Sequence, residues 1–518
     1  MARDFDAIVV GSGLGGLTAG ALCARAGMKL LVVERNEAFG GAATTFHHNG
    51  LAIESSLHEI DGFDEDDPKI PLIRSLGLDR SIDFVDVGDL YEVRGATVGR
   101  TFVLPHGLEA ALDAATARFP AHKSGLEEYF RRLTALRGAV SFAARHSNDR
   151  SWWLTHALEA VRKLWPILRD GRATLGEVMK ELFGDDEAIK LVLAANLGYW
   201  HDDPEQMSFI SFAIAQASYV LGGGHYVRGG SQTLTDKLVA LIGEAGGVLE
   251  AGREARRLLT KEHRVVGVEH CARDGADCKV DATPVVFGNA SPSVLASMLS
   301  SNERASFAAH YANRRQSISL WTVSLGLSRA AREFGVRRYS TFVQPPWLTS
   351  LARMREAAAV MNEQPSGRMP PYVFVDYHQI DSGLNETAPF LVSFCGTDRI
   401  ENWSSLGNDA KTDRKNRWID ALIADIDRQF PGIASSVVHR EMATAETMQR
   451  YLNTPGGAVY GFAPVDSLRQ TIRRGPQTPV RGLWLASAYT VSGGYTGAMI
   501  GGAQAASSAM RQQARSSE

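Results

Sequence analysis

Three glycines near the beginning of the chain have the spacing of a dinucleotide-binding loop. Gly11, Gly13 and Gly16 follow the pattern G-x-G-x-x-G, and Glu34 comes 23 residues after the first of them. Glycines at these positions permit a tight turn, let a pyrophosphate approach the backbone and let a helix pack closely on a strand. An acid at this distance can accept hydrogen bonds from ribose hydroxyls. The predicted contacts in the loop are Gly11, Ser12, Gly13, Leu14, Gly15 and Gly16.

The loop can do this only if a strand leads into it and a helix leads out of it. Residues 7–10 are uncharged and mostly β-branched, which predicts a short buried strand. Leu17–Ala26 predicts a helix rich in alanine and leucine, and Lys29–Val33 predicts a second strand that ends at Glu34. The helix N-terminus would present unpaired N–H groups to the phosphates. The alternative is a glycine-rich turn in some other α/β unit.

A pair of glycines follows the predicted acid and indicates which dinucleotide binds. Gly40 and Gly41 complete the pattern E-x(5)-G-G, which resembles the flavoprotein family that includes amine oxidases and phytoene desaturases. In that family the paired glycines lie against the pyrophosphate of FAD. The resemblance therefore implies FAD as the cofactor, with further contacts from Arg35 and Ala42.

Other segments along the chain carry the same resemblance. His225–Leu259 reads as a Gly-Gly-Ser turn, an amphipathic helix and a strand, and Val285–Leu299 reads as a strand, an Asn-Ala turn and a helix. The resemblance is closest to bacterial phytoene desaturases, carotenoid isomerases and retinol saturases. The cofactor contacts that it implies in these and the C-terminal segments are Ala255, Asn289, Ala488, Gly494, Tyr495 and Thr496.

The C-terminal segment Gly482–Met510 has no charged residue and is long enough to be considered as a membrane span. Its six glycines make a poor span. We instead predict a strand over Leu483–Ala486 and a closing helix over Thr496–Met510, buried against the cofactor. Many flavoproteins have Gly-Asp where this chain has Ser487 and Ala488, so the contact to the FAD ribitol is where the chain departs from the family pattern.

The resemblance implies an α/β fold with a Rossmann-type FAD-binding domain and a discontinuous α+β substrate domain. We expect residues 1–65, 225–300 and 478–518 to form the FAD-binding domain. Residues 66–224 and 301–477 would form the substrate-binding domain. No second dinucleotide fingerprint follows a predicted strand.

The activity implied by the resemblance is that of an FAD-dependent oxidoreductase. It would desaturate, saturate or isomerise carbon–carbon bonds of a long apolar isoprenoid or polyene. One alternative is an amine oxidase on the same scaffold, with an aromatic pair drawn from Tyr451, Tyr460 and Tyr495 facing the flavin. A second is a flavin-binding escort protein without catalysis.

The acid–base candidates lie in the sequence LHEIDG, just after the predicted pyrophosphate loop. Relatives often carry a histidine close to the flavin at this point. We therefore rank His58 first and Glu59 second as catalytic residues. The alternative is that both are solvent-facing or only structurally hydrogen-bonded.

Composition excludes several other classes of function. The formal net charge of −3 provides no field for binding nucleic acid. None of the four cysteines forms a Cys-x-x-Cys pair, and no histidine cluster accompanies them, so we expect reduced thiols and no metal site. The N-terminus lacks the pattern of a secretory signal, and we expect a cytoplasmic protein. The sequence does not indicate an oligomeric state.

The stretch Ser151–Arg172 combines tryptophan, apolar residues at helical spacing and basic residues. Such a helix suits the surface of a lipid bilayer, from which an apolar substrate could enter. The alternative is a helix that packs into the core of the substrate domain and breaks near Pro166. We therefore keep both core packing and peripheral contact at the inner face of a membrane as expectations.

Overall fold

The computed structural model describes residues 4–146, 150–365, 367–465 and 475–517. A parallel sheet of five strands lies at the centre of the dinucleotide-binding region. Four of its strands are short, apolar and buried on both faces, as expected for a sheet covered by helices, whereas the edge strand Val248–Glu250 is partly exposed. In spatial order the strands are Val248–Glu250, Leu30–Val33, Ala7–Val10, Val286–Gly288 and Leu483–Leu485.

This sheet confirms the predicted fold class, with its Rossmann-like strand–helix–strand unit. The first strand has the predicted bounds, the helix runs over Leu14–Arg25, and the second strand runs over Leu30–Val33. The three stretches that supply its strands are far apart in sequence. The division into a cofactor domain and a substrate domain, with its boundaries, stays a prediction.

A larger, mostly antiparallel sheet of seven strands forms the other main layer. Only Ser340–Gln344 and Tyr91–Gly95 pair in parallel within it. In spatial order its strands are Val437–Ala443, Ser319–Leu327, Phe390–Asp398, Tyr372–Asp376, Ser340–Gln344, Tyr91–Gly95 and Phe102–Leu104. We call it the large sheet.

Three small sheets connect these layers. Their strands are Arg253–Lys261, Arg264–Ala272 and Cys278–Ala282; the hairpin Thr45–His48 and Leu51–Glu54; and Ile60–Asp61, Gly224–Val227 and Phe84–Asp86. The hairpin follows directly on the Gly40–Gly41 turn, so the small sheets lead the chain from the cofactor layer towards the large sheet.

Helices cover the parallel sheet and one side of the large sheet. The α-helices are Leu14–Arg25, Lys69–Leu76, Leu108–Arg118, Lys123–Arg145, Arg150–Thr155, Ala157–Asp170, Leu175–Phe183, Glu187–Leu193, Phe209–Gly222, Ser231–Glu244, Pro292–Met298, Ser301–Tyr311, Asn408–Gln429, Ala445–Leu452 and Gly494–Ser517. Short 3₁₀ helices are Leu78–Arg80, Pro120–His122, Ala195–Tyr199, Ala331–Phe334, Leu351–Asn362, Tyr377–Gln379, Ile400–Asn402, Ile433–Ser436 and Pro455–Gly457.

The charge-free C-terminal segment is built into the parallel sheet. Leu483–Leu485 is its edge strand, beside Val286–Gly288, and the helix Gly494–Ser517 packs on the first helix of the chain. Within the described residues, no helix combines the length and the hydropathy that crossing a bilayer requires.

Two local expectations were wrong. A disulfide joins Cys271 and Cys278, which lie directly opposite each other on neighbouring antiparallel strands. The predicted reduced state failed because strand pairing brings together two cysteines whose sequence spacing matches no motif. The second wrong expectation was a helix in Ser151–Arg172 that breaks near Pro166. The interruption lies instead at His156, and Pro166 lies inside the second helix, Ala157–Asp170.

Candidate active site

The glycines of the fingerprint lie where a side chain would collide with backbone. Gly11 has φ +91°, and a Cβ there would lie 2.7 Å from the carbonyl oxygen of Asn289. A Cβ on Gly15 would lie 2.5 Å from the carbonyl oxygen of Ala486. Other residues would therefore force the loop open, which explains why these positions are glycine.

The paired glycines approach the fingerprint from the other side. Gly40 and Gly41 have φ +122° and +62°, and a Cβ on Gly41 would lie 3.2 Å from the Cα of Gly13. Gly40 also pairs with Gly13 in an isolated parallel bridge. The two turns form a narrow cleft of bare backbone, which we call the glycine cleft. Its walls are Gly11–Gly16 and Gly40–Ala42.

Ser12 and Glu34 join the two walls. The Ser12 amide and hydroxyl donate to Glu34 Oε2 at 2.8 and 2.6 Å, and Glu34 Oε1 accepts from the Asn36 amide at 2.7 Å. The Gly40 amide donates in turn to the Ser12 hydroxyl at 3.1 Å. Glu34 therefore already organises the loop, in addition to the ribose contact that we predict for it.

Asn289 closes the base of the cleft. Its amide group donates to the carbonyl oxygen of Ala486 at 2.6 Å, and its backbone N–H donates to Val10 at 2.8 Å. A Cβ on Gly13 would lie 2.6 Å from Asn289 Oδ1. Asn289 thus ties the strands Ala7–Val10, Val286–Gly288 and Leu483–Leu485 together next to the fingerprint.

Arg35 and Ala255 occupy the end of the cleft beyond Glu34. The Arg35 guanidinium donates to the carbonyl oxygens of Arg450 and Tyr451 at 2.9 and 3.0 Å. Ala255 is buried in the strand that begins at Arg253, whose amide donates to the Glu34 carbonyl at 2.8 Å. Both predicted residues are therefore near Glu34, and the Arg35 side chain is engaged with the protein.

The C-terminal contacts lie at the opposite end of the cleft. Tyr495 begins the last helix, and its hydroxyl lies 2.9 Å from the hydroxyl of Ser56, which donates to the Ala42 carbonyl at 2.6 Å. Thr496 donates to Asp61 Oδ1 at 3.3 Å. Gly494 has φ +75° at the start of that helix. The predicted contacts therefore converge on the segment after the hairpin.

Ser487 and Ala488 form a short turn at the end of the edge strand. The Ser487 amide donates to the Thr490 hydroxyl at 3.2 Å, and the Tyr489 amide donates to the Ser487 hydroxyl at 3.3 Å. Many flavoproteins have glycine at this position of the turn, whereas this chain has the hydroxyl group of Ser487 there. Ala488 is partly exposed beside it.

These residues fit a bound dinucleotide. The helix Leu14–Arg25 begins at Gly13, which provides no side-chain cap for its N-terminal amides. A phosphate group is a suitable partner for such amides. The glycine cleft leaves backbone on both sides free of side chains, as close approach of a pyrophosphate requires.

Glu54 organises the segment that carries the catalytic candidates. Its carboxylate accepts from the amide and hydroxyl of Ser231 at 2.8 and 2.7 Å, from the Leu57 amide at 3.1 Å and from the Tyr226 hydroxyl at 3.2 Å. Burial raises the pKa of Glu54, while the hydrogen bonds from Ser231 lower it. Glu54 therefore fixes the turn before His58, and we call residues 54–61 the catalytic segment.

His58 lies between three tyrosines. Its Nδ1 is 3.4 Å from the hydroxyl of Tyr199, its backbone carbonyl accepts from Tyr339, and the neighbouring Leu57 carbonyl accepts from Tyr377 at 3.1 Å. Burial of the ring lowers the pKa of His58 to about 4. The imidazole is therefore neutral at pH 7, where it can accept or donate one hydrogen bond.

Glu59 has an unusual environment for a carboxyl group. Both of its oxygens are inaccessible to solvent, and neither makes a well-aligned hydrogen bond to a described residue. Burial raises the pKa of Glu59 to about 8; the neighbouring Tyr219 hydroxyl lowers it, and the charge of Asp61 raises it. At pH 7 the group is mostly protonated, which makes it a proton donor.

A small apolar cavity of about 40 Å³ lies beside the catalytic segment. Tyr199 lines the cavity and also touches His58, so it connects the two. Burial raises the pKa of the Cys395 thiol, which also lines the cavity, to about 12, so it is not a nucleophile at neutral pH. The lining residues are Ala195, Gly198, Tyr199, Leu320, Phe342, Val343, Gln344, Met354, Pro371, Tyr372, Val373, Cys395, Gly396 and Thr397.

Sequence reasoning missed Glu54, Tyr339 and Tyr377. Glu54 leaves one signal, because it is an acid at the end of the apolar run LAIE. The two tyrosines leave none: Tyr339 directly precedes the strand Ser340–Gln344, and Tyr377 directly follows the strand Tyr372–Asp376, both far along the chain. The structure also places Tyr199 on the cavity wall.

Comparison with known proteins agrees with this geometry. Residues 9–73 match the family model for an NAD(P)-binding Rossmann-like domain. The chain is 24% identical to an all-trans-retinol 13,14-reductase from Danio rerio, over 96% of this chain and 85% of that protein. It is 20% identical to a chloroplastic prolycopene isomerase from Daucus carota, over 89% of this chain and 72% of that protein.

Solved structures share the fold over almost the whole chain. Cyclohexylamine oxidase from Brevibacterium oxydans covers 98% of this chain and 99% of its own, with a TM-score of 0.61 and 17% identity. A putrescine oxidase bound to putrescine has a TM-score of 0.63 and 14% identity. The resemblance predicted from the sequence is confirmed: the chain is related to retinol reductases and prolycopene isomerases and has the flavin amine oxidase-like fold.

Proposed function

We propose that this chain is an FAD-dependent oxidoreductase that changes carbon–carbon bonds of a long apolar polyene or isoprenoid. The change is a saturation, a desaturation or a cis–trans isomerisation. The names of its relatives support this substrate class, since they include a retinol reductase and a prolycopene isomerase. The apolar lining of the cavity supports it independently, because such walls offer little to a charged substrate.

FAD would lie along the glycine cleft. Its pyrophosphate would meet the amides of the fingerprint and the paired glycines, and its ribose would lie near Glu34. Bound FAD supplies hydride transfer to or from carbon. In this proposal residues 1–65, 225–300 and 478–518 form the FAD-binding domain, and the remainder holds the substrate. Tyr495 and Thr496 join the flavin end to the catalytic segment through Ser56 and Asp61.

One observation carries the proposal, namely the buried carboxyl group of Glu59 in the catalytic segment, whose two oxygens are closed off from solvent. Hydride addition to a double bond must be completed by a proton on the neighbouring carbon. A carboxyl group with a pKa of about 8 holds that proton at neutral pH. In the opposite direction, the ionised carboxylate would accept the proton. Glu59 is therefore the first acid–base candidate, ahead of His58.

His58 and Tyr199 would position the substrate side of the same site. The neutral imidazole faces the Tyr199 hydroxyl, whose pKa burial raises well above its usual value. Both groups therefore stay uncharged at neutral pH, as an apolar ligand requires. Their ring faces close the end of the cavity nearest the catalytic segment.

An amine oxidase remains the second candidate because solved amine oxidases share the fold. The aromatic pair expected for it can no longer include Tyr451, which is 55% exposed. Tyr460 is left as a partner for Tyr495. The apolar cavity wall offers little to an ammonium group.

Mass spectrometry of the purified yellow protein tests the proposal. The flavin and any bound lipid are released and identified. The loaded protein is then incubated without oxygen with a conjugated polyene, once with the flavin oxidised and once with the flavin reduced by dithionite, and separately with a primary amine in air. We expect FAD and a polyene product that differs by two hydrogens or by double-bond geometry. Peroxide release with a primary amine, and no change to any polyene, would support the amine oxidase instead. FAD without turnover of either substrate would support the escort protein.

A second proposal concerns how an apolar substrate reaches the site. We propose that the helix Ala157–Asp170 lies on the surface of a lipid bilayer. Leu158, Val161, Trp165 and Leu168 recur at helical spacing and are 90%, 58%, 60% and 59% exposed. The opposite face is buried in the protein, at Ala160, Ile167 and Asp170.

Charge complementarity favours a bilayer with anionic lipids as the partner. Arg162 and Lys163 are exposed on the same helix, next to the apolar stripe. A tryptophan and basic residues beside an apolar stripe are typical of helices at a lipid interface. Core packing, the alternative expected from the sequence, accounts for the buried face only.

Sedimentation with vesicles tests this contact. We expect the protein to pellet with vesicles containing anionic lipid, and a variant with serine at the four stripe positions to remain in the supernatant. Val438→Ser is the matched control, because Val438 is 62% exposed but lies on an edge strand of the large sheet. Equal pelleting of all three proteins, or of none, would contradict the proposal.

A further inference from the structure

Three side chains that suit a metal ion meet outside the cofactor cleft and the cavity. His48 Nδ1 lies 2.7 Å from Glu441 Oε2, and His439 Nε2 lies 3.5 Å from the same oxygen. The three atoms that could coordinate an ion all lie within 4.8 Å of one another. We call His48, His439 and Glu441 the histidine cluster.

The fold brings the cluster together from two separate layers. His48 ends the strand Thr45–His48 of the hairpin, whereas His439 and Glu441 lie on the edge strand of the large sheet. Residues two apart on a strand point to the same face, so both side chains face the hairpin. No spacing in the sequence could reveal this cluster, because His48 and Glu441 are 393 residues apart.

His439 is the observation that points to a ligand. Its side chain is only 10% exposed, and Nε2 is buried without a hydrogen bond to any described residue. A buried ring nitrogen without a partner costs free energy, so such an atom is rare in a folded protein. The atom lies 3.5 Å from Glu441 Oε2 without forming a hydrogen bond to it. A coordinated cation would give the nitrogen its missing partner.

We propose that the histidine cluster binds one divalent transition-metal ion, with zinc as the best fit. Two imidazoles and one carboxylate form a ligand set that zinc accepts, and water would occupy the fourth position. Magnesium and calcium prefer sites made only of oxygen. Bonds of about 2.0–2.1 Å in a tetrahedral site place ligand atoms about 3.3 Å apart. The observed separations of 2.7 and 3.5 Å lie on either side of that value.

An ion at this position would fasten the hairpin to the large sheet. The other arm of the hairpin is already held there, because the Asn385 side chain exchanges two hydrogen bonds with the backbone of Ala52 at 2.9 and 2.8 Å. Gly326, which pairs with His439, leaves room for Leu51 of the hairpin. The hairpin ends in Glu54, so the ion would stabilise the layer that leads into the catalytic segment.

The site is open enough for an ion to enter and leave. The His48 side chain is 53% exposed and that of Glu441 is 29% exposed. An ion that binds only the folded chain stabilises it by RT ln(1 + c/Kd), where c is the concentration of the free ion, so the stabilisation rises with that concentration. The proposal does not depend on the proposed oxidoreductase function, since the cluster lies outside both the cleft and the cavity.

Equilibrium dialysis against zinc tests the site. The protein is the full, untagged, flavin-loaded chain, treated with a chelator and then freed of it, without thiol reductant so that the Cys271–Cys278 disulfide stays closed. We expect one equivalent of zinc by elemental mass spectrometry. His439→Ala and Glu441→Gln should weaken binding by about tenfold or more. His48→Ala, at an exposed position, gives the same answer if a buried substitution prevents folding.

His47→Ala is the matched control. His47 is an exposed neighbour of His48 on the same strand, and alternation directs it to the opposite face. It should retain the full equivalent of zinc, and zinc should raise the unfolding temperature of this variant and of the unsubstituted chain, but not that of His48→Ala. The proposal is overturned if the unsubstituted chain holds no more zinc than Glu441→Gln, or if His47→Ala loses as much.

Discussion

The glycine cleft and the catalytic segment meet in one site but are built in different ways. The cleft is formed by two short turns of the chain in which a side chain would collide with backbone, as at Gly15 and Gly41. The catalytic segment depends on distant partners, among them Tyr199 and Tyr377, and on burial that shifts the pKa of Glu59. Under the proposed function, cofactor binding would thus depend mainly on bare backbone, whereas acid–base chemistry would depend on the assembled fold.

The largest effect should come from filling the cleft. In Gly15→Ala, the new methyl group would lie 2.5 Å from the Ala486 carbonyl oxygen and 2.9 Å from that of Ala498. Both neighbouring atoms belong to the backbone, so they cannot move away by a change of side-chain rotamer. Overpacking of this kind lowers the stability of the fold by about 1–3 kcal/mol or more. We expect the purified variant to lose most of its flavin absorbance.

Gly138→Ala is the control for a glycine outside the cleft. Gly138 lies inside the helix Lys123–Arg145, and a Cβ there would meet no atom within 4 Å. Alanine stabilises a helix interior by up to about 1 kcal/mol relative to glycine, so flavin content and stability should not fall. Normal flavin content in Gly15→Ala would show that cofactor binding does not depend on this bare backbone.

The next effect separates chemistry from cofactor binding. Glu59→Gln keeps the shape of the side chain but removes its acidic proton, so turnover should fall about 10²–10⁴-fold with unchanged flavin content. Steady-state rates with the identified polyene measure this. Glu65→Gln is the control, because that side chain is 80% exposed and pairs only with Arg74 at the surface. A Glu59→Gln enzyme at full rate would remove Glu59 from the chemistry.

This difference also explains what could be predicted from the sequence. The first strand, the fingerprint and the Gly40–Gly41 turn follow from local patterns, and the confirmed fold class follows from them. His58 and Glu59 could be named from the sequence, but the order that we now propose for proton transfer, with Glu59 first, depends on burial by residues far away in the chain. The disulfide and the histidine cluster arise from strand pairing alone, and no spacing along the chain records that.

A smaller effect should appear in the pH dependence of stability. The pKa of Glu59 is about 8 in the folded chain, above its ordinary value of 4.5, so the folded state binds the proton more tightly than the unfolded state. This contribution is complete below about pH 4.5 and is lost as the pH rises through about 8. Glu59→Gln cannot ionise, so its unfolding temperature should increasingly exceed that of the unsubstituted chain between pH 5 and 8. Parallel curves over this range would mean that the carboxyl group is already ionised.

The smallest effect should come from Tyr199→Phe, which tests whether the cavity wall takes part in the chemistry. The ring and its edge contact with Phe342 remain, so the cavity keeps its shape. Only the hydroxyl near His58 is lost, and at 3.4 Å that contact is long for a hydrogen bond. A hydrogen bond contributes about 0.5–1.5 kcal/mol, so turnover should fall by about threefold to tenfold.

Tyr489→Phe is the control, because the Tyr489 hydroxyl donates to Gln316 away from the cavity, and it should not change turnover. A loss as large as that of Glu59→Gln would instead make Tyr199 the proton donor, and the chemistry would then belong to the cavity wall as much as to the catalytic segment.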